Sequence, residues 1–279
     1  MKNVLGIIAS PRRLGNSEIL VKEISRNVPE PHRLNLLRLS DFNIKPCRAC
    51  YLCLFKKERC VQRDDLYTVI DALVEADGLI LAAPTYFLGP NASLKRLLDR
   101  GLAFYAFIEQ LWDKPAVGAG IAGIDGKGGY THLGLQSFLR LTMTQVKHTA
   151  MFHGALPGEL LTSDENMEKA RLLGTALFGR QQQEEKPTCP LCGGDTFRFL
   201  PDGKVRCMLC SNTGTMEFED KPVFNIQKDD HPLFLTKEDA LRHREWLRDE
   251  VKRYVNSRED LKNGAALYRD IGEWIKPNK

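Results

Sequence analysis

The chain has no surplus charge of either sign, no block of like charge, no long apolar run and no odd cysteine, and each absence closes off a class of function. Lys and Arg number 40 against 36 Asp and Glu, a formal charge of +4 over 279 residues, which is too small and too dispersed to imply a nucleic-acid partner. The apolar run near the start, Val4 to Ala9, is too short for the core of a secretory signal and is followed by Pro11, Arg12 and Arg13. No later run approaches a membrane span. The expected setting is therefore cytoplasmic, with no membrane partner. In a reducing cytosol the cysteines are not expected to pair as disulfides, so they need another use. No Ser-His-Asp or paired-carboxylate arrangement stands out, and the six histidines are scattered; no catalytic acid, base or nucleophile is expected.

The eight cysteines fall into two groups of four: Cys47-x2-Cys50-x2-Cys53-x6-Cys60 and Cys189-x2-Cys192-x14-Cys207-x2-Cys210. Three thiolates within seven residues suit the corner of an iron–sulfur cube, with Cys60 taking the fourth iron. A structural zinc, a pair of disulfides or free buried thiols would use the same letters. Arg48, Lys56, Lys57 and Arg59 would favour the reduced state of such a cluster and raise its potential. The second group is two knuckles spaced for a tetrahedral four-cysteine zinc site, Gly193 relieving the turn after Cys192. A single iron held by the same four thiolates is the alternative there.

Residues 1–180 alternate apolar β-rich runs with helical patterns, as in a parallel sheet covered on both faces. Five strands are expected, at Val4–Ser10, His32–Leu39, Gly78–Pro84, Pro115–Gly123 and His148–Leu156, with helices near 17–27, 65–76, 91–107, 131–146 and 164–180. Asp64 or Asp65 would cap the second helix. This is an α/β chain of flavodoxin-like, doubly wound type, order 2-1-3-4-5, with a cysteine-rich insert at about 44–64. Its ligand belongs beyond the carboxyl ends of the strands, where loops 10–17, 84–91 and 123–131 should converge. The polar run 181–188 reads as a linker, 189–217 as a zinc-ribbon-like segment too poor in apolar mass to fold without metal, and 218–279 as a helical extension. There Thr236 and Asp239 would form a capping box on a helix with apolar face Ala240, Leu247, Val251 and Tyr254. A last helix from Glu259 to Ile275 would present Leu261, Ala265, Tyr268, Ile271 and Ile275 to a protein surface. Gly118-x-Gly120-x2-Gly123 matches a dinucleotide fingerprint in letters only: it lies within a strand, where small residues permit close packing.

The first loop, Ser10-Pro-Arg-Arg-Leu-Gly-Asn-Ser17, offers hydroxyl, amide and guanidinium donors beside the positive end of a helix, a natural phosphate site. Gly15 allows the turn, and Ser17 could cap the helix while bonding a phosphate oxygen; a plain Ser/Asn-capped turn would look alike. Pro84 and Thr85 leave the third strand at its ligand end, and Tyr86 and Phe87 supply flat apolar walls, unless they pack beneath a helix.

Here the chain resembles the NADPH-dependent FMN reductase family and, within it, the iron–sulfur flavoproteins. The resemblance runs through Ser10 to Ser17, Pro46 with Cys47, Cys50, Cys53 and Cys60, Asp64-Asp65, Ala76-Asp77, Pro84 to Phe87, and Leu94-Lys95-x3-Asp99-Arg100, in family order over about two-thirds of the chain. It implies FMN, with Ser10, Arg12, Asn16 and Ser17 on the phosphate, Pro84, Thr85, Tyr86 and Phe87 against the isoalloxazine ring, and Gly123 opening a third flavin loop. It also implies a [4Fe–4S] cluster and a homo-oligomer, dimer or tetramer, placing the cluster of one chain near the FMN of another. The ribbon departs from the minimal family architecture. Asp99-Arg100 is expected to form a helix-end ion pair. The expected function is an oxidoreductase relaying electrons between a carrier such as ferredoxin or NAD(P)H and an acceptor. The alternatives are an NAD(P)H-dependent FMN or quinone reductase with structural cysteines, and a non-enzymatic redox or metal sensor using the ribbon.

Overall fold

A computed structural model describes residues 1–55, 58–180, 187–218 and 220–277. Residues 181–186 of the expected linker, and Lys56 and Lys57 beside the first cysteines, lie outside the described residues.

Strands β1 (Lys2–Ile8), β2 (His32–Arg38), β3 (Gly78–Tyr86), β5 (Lys114–Ala122) and β6 (Thr144–His153) form a parallel sheet in the order β2-β1-β3-β5-β6, and a two-residue β4 (Gly89–Pro90) turns back antiparallel on the end of β3. This is the expected 2-1-3-4-5 order. Side chains alternate across it as the pleat requires. Val4, Ile8, Ile80, Ala82, Val117 and Ala119 pack with helices α1 (Asn16–Arg26) and α6 (Asp164–Ala176). Leu5, Ile7, Leu79 and Leu81 pack with α2 (Leu66–Glu75), α3 (Ala92–Leu98) and α5 (Thr131–Leu141) on the other face. Burial on both faces explains why the central strands β1, β3 and β5 read as near-continuous apolar runs.

Helix boundaries depart from expectation where the chain tightens. The helix expected over 91–107 stops at Leu98, continues as a 3-10 turn over Gly101–Phe107 and ends in a short α4 (Ile108–Leu111). Asp65 holds the N-cap position of α2 without capping it: its carboxylate accepts the Asn43 N–H at 2.6 Å, while Asp64 accepts from Leu66 N at 3.3 Å. Gly118 and Gly120 lie within β5, where a Cβ would stand 3.1 Å from Leu139 Cδ1 and 3.0 Å from Leu135 Cδ1 respectively. They let α5 settle onto the sheet, so the dinucleotide reading fails on context.

Beyond the linker an antiparallel sheet of β7 (Phe197–Phe199), β8 (Lys204–Cys207), β9 (Thr213–Phe218) and β10 (Pro222–Ile226) carries the second cysteine group. The ribbon thus runs past residue 217 to Ile226. Helix α7 (Lys237–Asn256) starts at the expected capping box, Thr236 and Asp239 bonding reciprocally. Its Ala240, Leu241 and Leu247 join the core beneath α2 and α3, although Tyr254 stays half-exposed. The expected last helix is shorter: α8 covers Arg258–Ala266, and Tyr268, Ile271, Trp274 and Ile275 are 71 to 100% exposed. Among the described residues their apolar period finds no surface to pack on. Among the described residues no helix is long and apolar enough to cross a membrane.

At the crossing of α6 over α1, a Cβ on Gly174 would lie 2.6 Å from Ile24 O and 2.7 Å from Asn27 C, backbone atoms that cannot rotate away. Gly174→Ala should therefore cost about 1–3 kcal/mol through overpacking, despite the better helix propensity of alanine. Thermal unfolding should show the melting point lowered by several degrees; an unchanged melting point would mean the two helices do not approach so closely.

Candidate functional site

At the carboxyl ends of β1, β3 and β5 a cleft of about 230 Å³ is lined by Ser10, Arg12, Asn16, Ser17, Pro84, Thr85, Tyr86, Ile121, Gly123, Gly154, Ala155 and Pro157. Eight of the nine expected flavin-site residues therefore meet around one space. Phe87 does not join them. It sits in the left-handed region at φ 47° and is fully exposed, with Leu88 beside it at φ 64°, so it forms part of the rim and not the wall. The expected loops account for most of the lining, but a fourth, Gly154-Ala155-Leu156-Pro157, was missed because the fifth strand ends at His153 and not at Leu156. Gly154 and the Pro157-Gly158 pair were the available turn signals.

The first loop is held mainly by its own neighbours. Glu18 accepts from Leu14 N at 2.8 Å, from Lys22 Nζ and Arg38 Nη2 at 2.6 Å each, and Arg38 Nη1 donates to the carbonyls of Ser10 and Arg12 at 3.2 and 2.7 Å. Hydrogen bonds from Lys22 and then Arg38, together with Leu14 N, outweigh burial and hold the Glu18 carboxyl at about 2. Asn16 is engaged at both ends of its amide, donating to Gly154 O at 3.1 Å and accepting from Gly158 N at 2.9 Å. It joins the first and fourth loops. Ser17 does not cap α1: Gly15 is the N-cap, without a side-chain bond, and Ser17 is buried within the first turn. Glu18 N–H donates to Gly15 O at 3.0 Å, while the N–H groups of Asn16 and Ser17 are left over by helix geometry, beside the Ser10 hydroxyl and Arg12. Such a cradle fits a phosphate. On the ring side, Thr85 Oγ1 donates to Thr131 Oγ1 at 2.9 Å, and Tyr130 N to Leu88 O at 2.7 Å, fixing the 84–91 loop to the start of α5.

The first cysteine group wraps a loop in which Ala49, Tyr51 and Glu58 all take positive φ, 46 to 56°. Left-handed geometry at three non-glycine residues is costly and persists only where surroundings impose it. Cys53 is pushed up to about 11, by burial first and then by the neighbouring Cys60, Cys50 and Cys47. Among the described residues, however, only the second group draws its donor atoms to within 4.8 Å of one another. A single tetrahedral ion with Zn–S near 2.3 Å needs such closeness; a cube, binding each thiolate through a different iron, does not. The insert fits the cluster better than one ion.

Asp99-Arg100 is not a helix-end pair. Asp99 bonds Lys95 within α3, whereas Arg100, 3% exposed, turns into the cysteine insert. Its Nη1 donates to Asp64 Oδ2 at 2.5 Å and Lys45 O at 2.7 Å, and its Nη2 donates to Cys60 Sγ at 3.1 Å. Burial works against charge on Asp64, but Arg100 with the Lys45 and Leu66 N–H groups outweighs it and keeps the carboxyl low. From the far side α7 adds a second clamp, Arg248 Nε donating to Leu54 O at 2.6 Å and Nη2 to Glu58 at 2.8 Å.

In the ribbon Cys189 and Cys210 stand 3.8 Å apart and Cys192 and Cys207 3.5 Å apart, all but Cys192 buried. Gly193 takes φ 74° after the first knuckle, as the turn there requires, and Ser211 takes φ 63° after the second. The nearness of Cys192 and Cys207 draws Cys189 down to about 7, and Cys192 is pushed up because its neighbours compete for the charge. A cation among the four sulfurs removes that competition.

Comparison with known proteins agrees with this geometry. Residues 2–156 match the NADPH-dependent FMN reductase family. The chain is 34% identical over 184 residues to an iron–sulfur flavoprotein of Methanocaldococcus jannaschii, covering 61% of this chain and 93% of that one. It is 32% identical over 181 residues to an iron–sulfur flavoprotein of Archaeoglobus fulgidus, covering 62% and 77%. A solved flavone reductase shares the fold over 99% of this chain and 100% of its own, with a TM-score of 0.75 at 20% identity.

Because Glu18 is held well below its ordinary 4.5, its ionised form stabilises the folded loop above about pH 4.5, and that stability is lost as pH falls from there through about 2. Acid unfolding of the wild type should show this loss, and Glu18→Gln should be less stable at neutral pH but lack that part of the slope. Parallel curves for the two proteins would remove Glu18 from the loop's support.

Proposed function

This chain belongs to the NADPH-dependent FMN reductase family, a flavin oxidoreductase, and we propose that it uses FMN together with a [4Fe–4S] cluster to relay electrons between a carrier such as ferredoxin or NAD(P)H and an acceptor. The single observation that carries the reading is the coexistence of a polar-lined cleft at the carboxyl ends of the strands with a cysteine insert built into the same core. When bound, FMN exchanges two electrons as hydride or one at a time, and the cluster passes one, so the pair supplies conversion between the two kinds of traffic.

The chain's own residues bind and orient. Ser10, Arg12 and the first-turn N–H groups at Asn16 and Ser17 would hold the phosphate; the Asn16 side chain instead braces the loop opposite. Pro84, Thr85, Tyr86 and Gly123 would bound the ring, with Phe87 on the exposed rim. Cys47, Cys50, Cys53 and Cys60 would ligate the cluster, and Cys189, Cys192, Cys207 and Cys210 a zinc ion, whose role is to fix the ribbon from which α7 returns to the insert. Support for zinc is the tetrahedral closeness of the four sulfurs, which a mononuclear iron would share. A homo-oligomer is supported by the exposed Phe87, Leu88, Ile124, Tyr130 and Leu156 around the flavin loops.

Anaerobically purified protein should contain about four Fe, one Zn and one FMN per chain. About five Fe and no Zn would assign the ribbon to iron; FMN with no Fe but full reductase activity would leave a flavin reductase with structural cysteines. Cys50→Ala should remove the broad visible iron–sulfur absorbance while FMN stays bound, and persistence of that absorbance would contradict the ligand assignment.

A further inference from the structure

Arg100 is buried outside the flavin cleft, and its guanidinium is spent wholly on the cysteine insert. A guanidinium at 3% exposure must have its charge balanced and its donors satisfied. Asp64 balances it: the pair is 1% and 0% exposed at the side chains, at 2.5 Å. The same carboxylate accepts from Lys45 N at 2.9 Å and Leu66 N at 3.3 Å, and Arg100 donates to Lys45 O at 2.7 Å. Both ends of the insert are thereby drawn to one guanidinium. The remaining Nη2 donor could have completed a bidentate pair with Asp64, but its contact with Oδ1 is 3.4 Å and its shorter bond, 3.1 Å, goes to Cys60 Sγ. Cys60 is fixed from behind by its own N–H, which donates to Tyr67 Oη at 2.6 Å. Among the described residues, Cys60 alone of the four thiols receives a side-chain donor; Cys47 Sγ accepts only the Ala49 N–H, at 3.4 Å.

Resting on the iron–sulfur reading of the insert, we propose that Arg100 is a positioning residue for the cluster: its N–H···S bond singles out Cys60 among the ligands and raises the reduction potential of the centre. An N–H donor and a fixed positive charge at a ligand sulfur stabilise the electron added on reduction. Arginine suits the task because it stays protonated and can hold a carboxylate and a sulfur at once through one rigid fork. The bond also makes the four thiols unequal, Cys60 being the one that faces a charged donor.

The test is an EPR-monitored redox titration of anaerobically prepared wild type, Arg100→Lys and Arg100→Gln, with iron and FMN measured in each. FMN content should be unchanged in both variants. Arg100→Gln should retain iron with a lowered cluster potential, and Arg100→Lys, which keeps the charge and a single donor, should recover part of the shift. An unchanged potential in an iron-loaded Arg100→Gln protein would overturn the proposal while leaving the iron–sulfur reading intact; an iron-free wild type would overturn both. Should the variants fail to hold iron, the wild type alone decides. Pulsed EPR of reduced protein labelled with [15N]arginine should show a hyperfine coupling to an arginine nitrogen, and its absence would overturn the proposal.

Discussion

A buried ion pair between Arg100 and Asp64 determines how the cysteine insert relates to the sheet. Removing two charges from water costs several kcal/mol each, and only close geometry with further hydrogen bonds repays it. Here the further bonds reach Lys45, Leu66 and Cys60, so the insert is continuous with the core that contains α2 and α3. Loss of either partner would strand a charge in that core. Arg248 from α7 reaches the same insert at Leu54 and Glu58, so the chain beyond the ribbon braces the first cysteine group as well. The two four-cysteine segments, distant in sequence, are thus mechanically joined through one helix.

The cleft shows a division of labour among polar groups. Glu18, Arg38 and the Asn16 side chain are consumed in holding loops to each other; the Ser10 hydroxyl accepts the Arg12 N–H at 3.3 Å but keeps its own hydrogen, and with the Arg12 side chain and the N–H groups of Asn16 and Ser17 it remains for a ligand. Thr85 and Thr131 do the same for the ring side. Loops so tied arrive at the ligand with much of their ordering cost already met, which is how a site made of four loops holds a defined shape.

Much of this was legible in the letters. The parallel sheet could be read because its central strands, buried on both faces, are near-continuous apolar runs, and the closeness of the second cysteine group follows from its local spacing. The Thr236 and Asp239 box is local too. What escaped depends on contacts between distant segments: Arg100 meets Asp64 and Cys60 across three dozen residues or more, and nothing near Arg100 distinguishes that from a helix-end pair. That the Asn16 side chain ties the first loop to Gly154 and Gly158 is likewise invisible in local sequence, because its partners lie 138 and 142 residues away. Neither residue type nor the resemblance shows that the backbone at Phe87 takes a left-handed turn that exposes its ring. The last helix was drawn too long because an apolar period alone does not say whether a surface exists to receive it.

On the proposed function one polypeptide would hold both a two-electron flavin and a one-electron cluster. Anaerobic titration of the loaded protein with a one-electron reductant, followed by absorbance, tests it most directly. The account predicts uptake of about three electrons per chain, two at the flavin and one at the cluster. Saturation at about two, with only the flavin bands bleached, would contradict it.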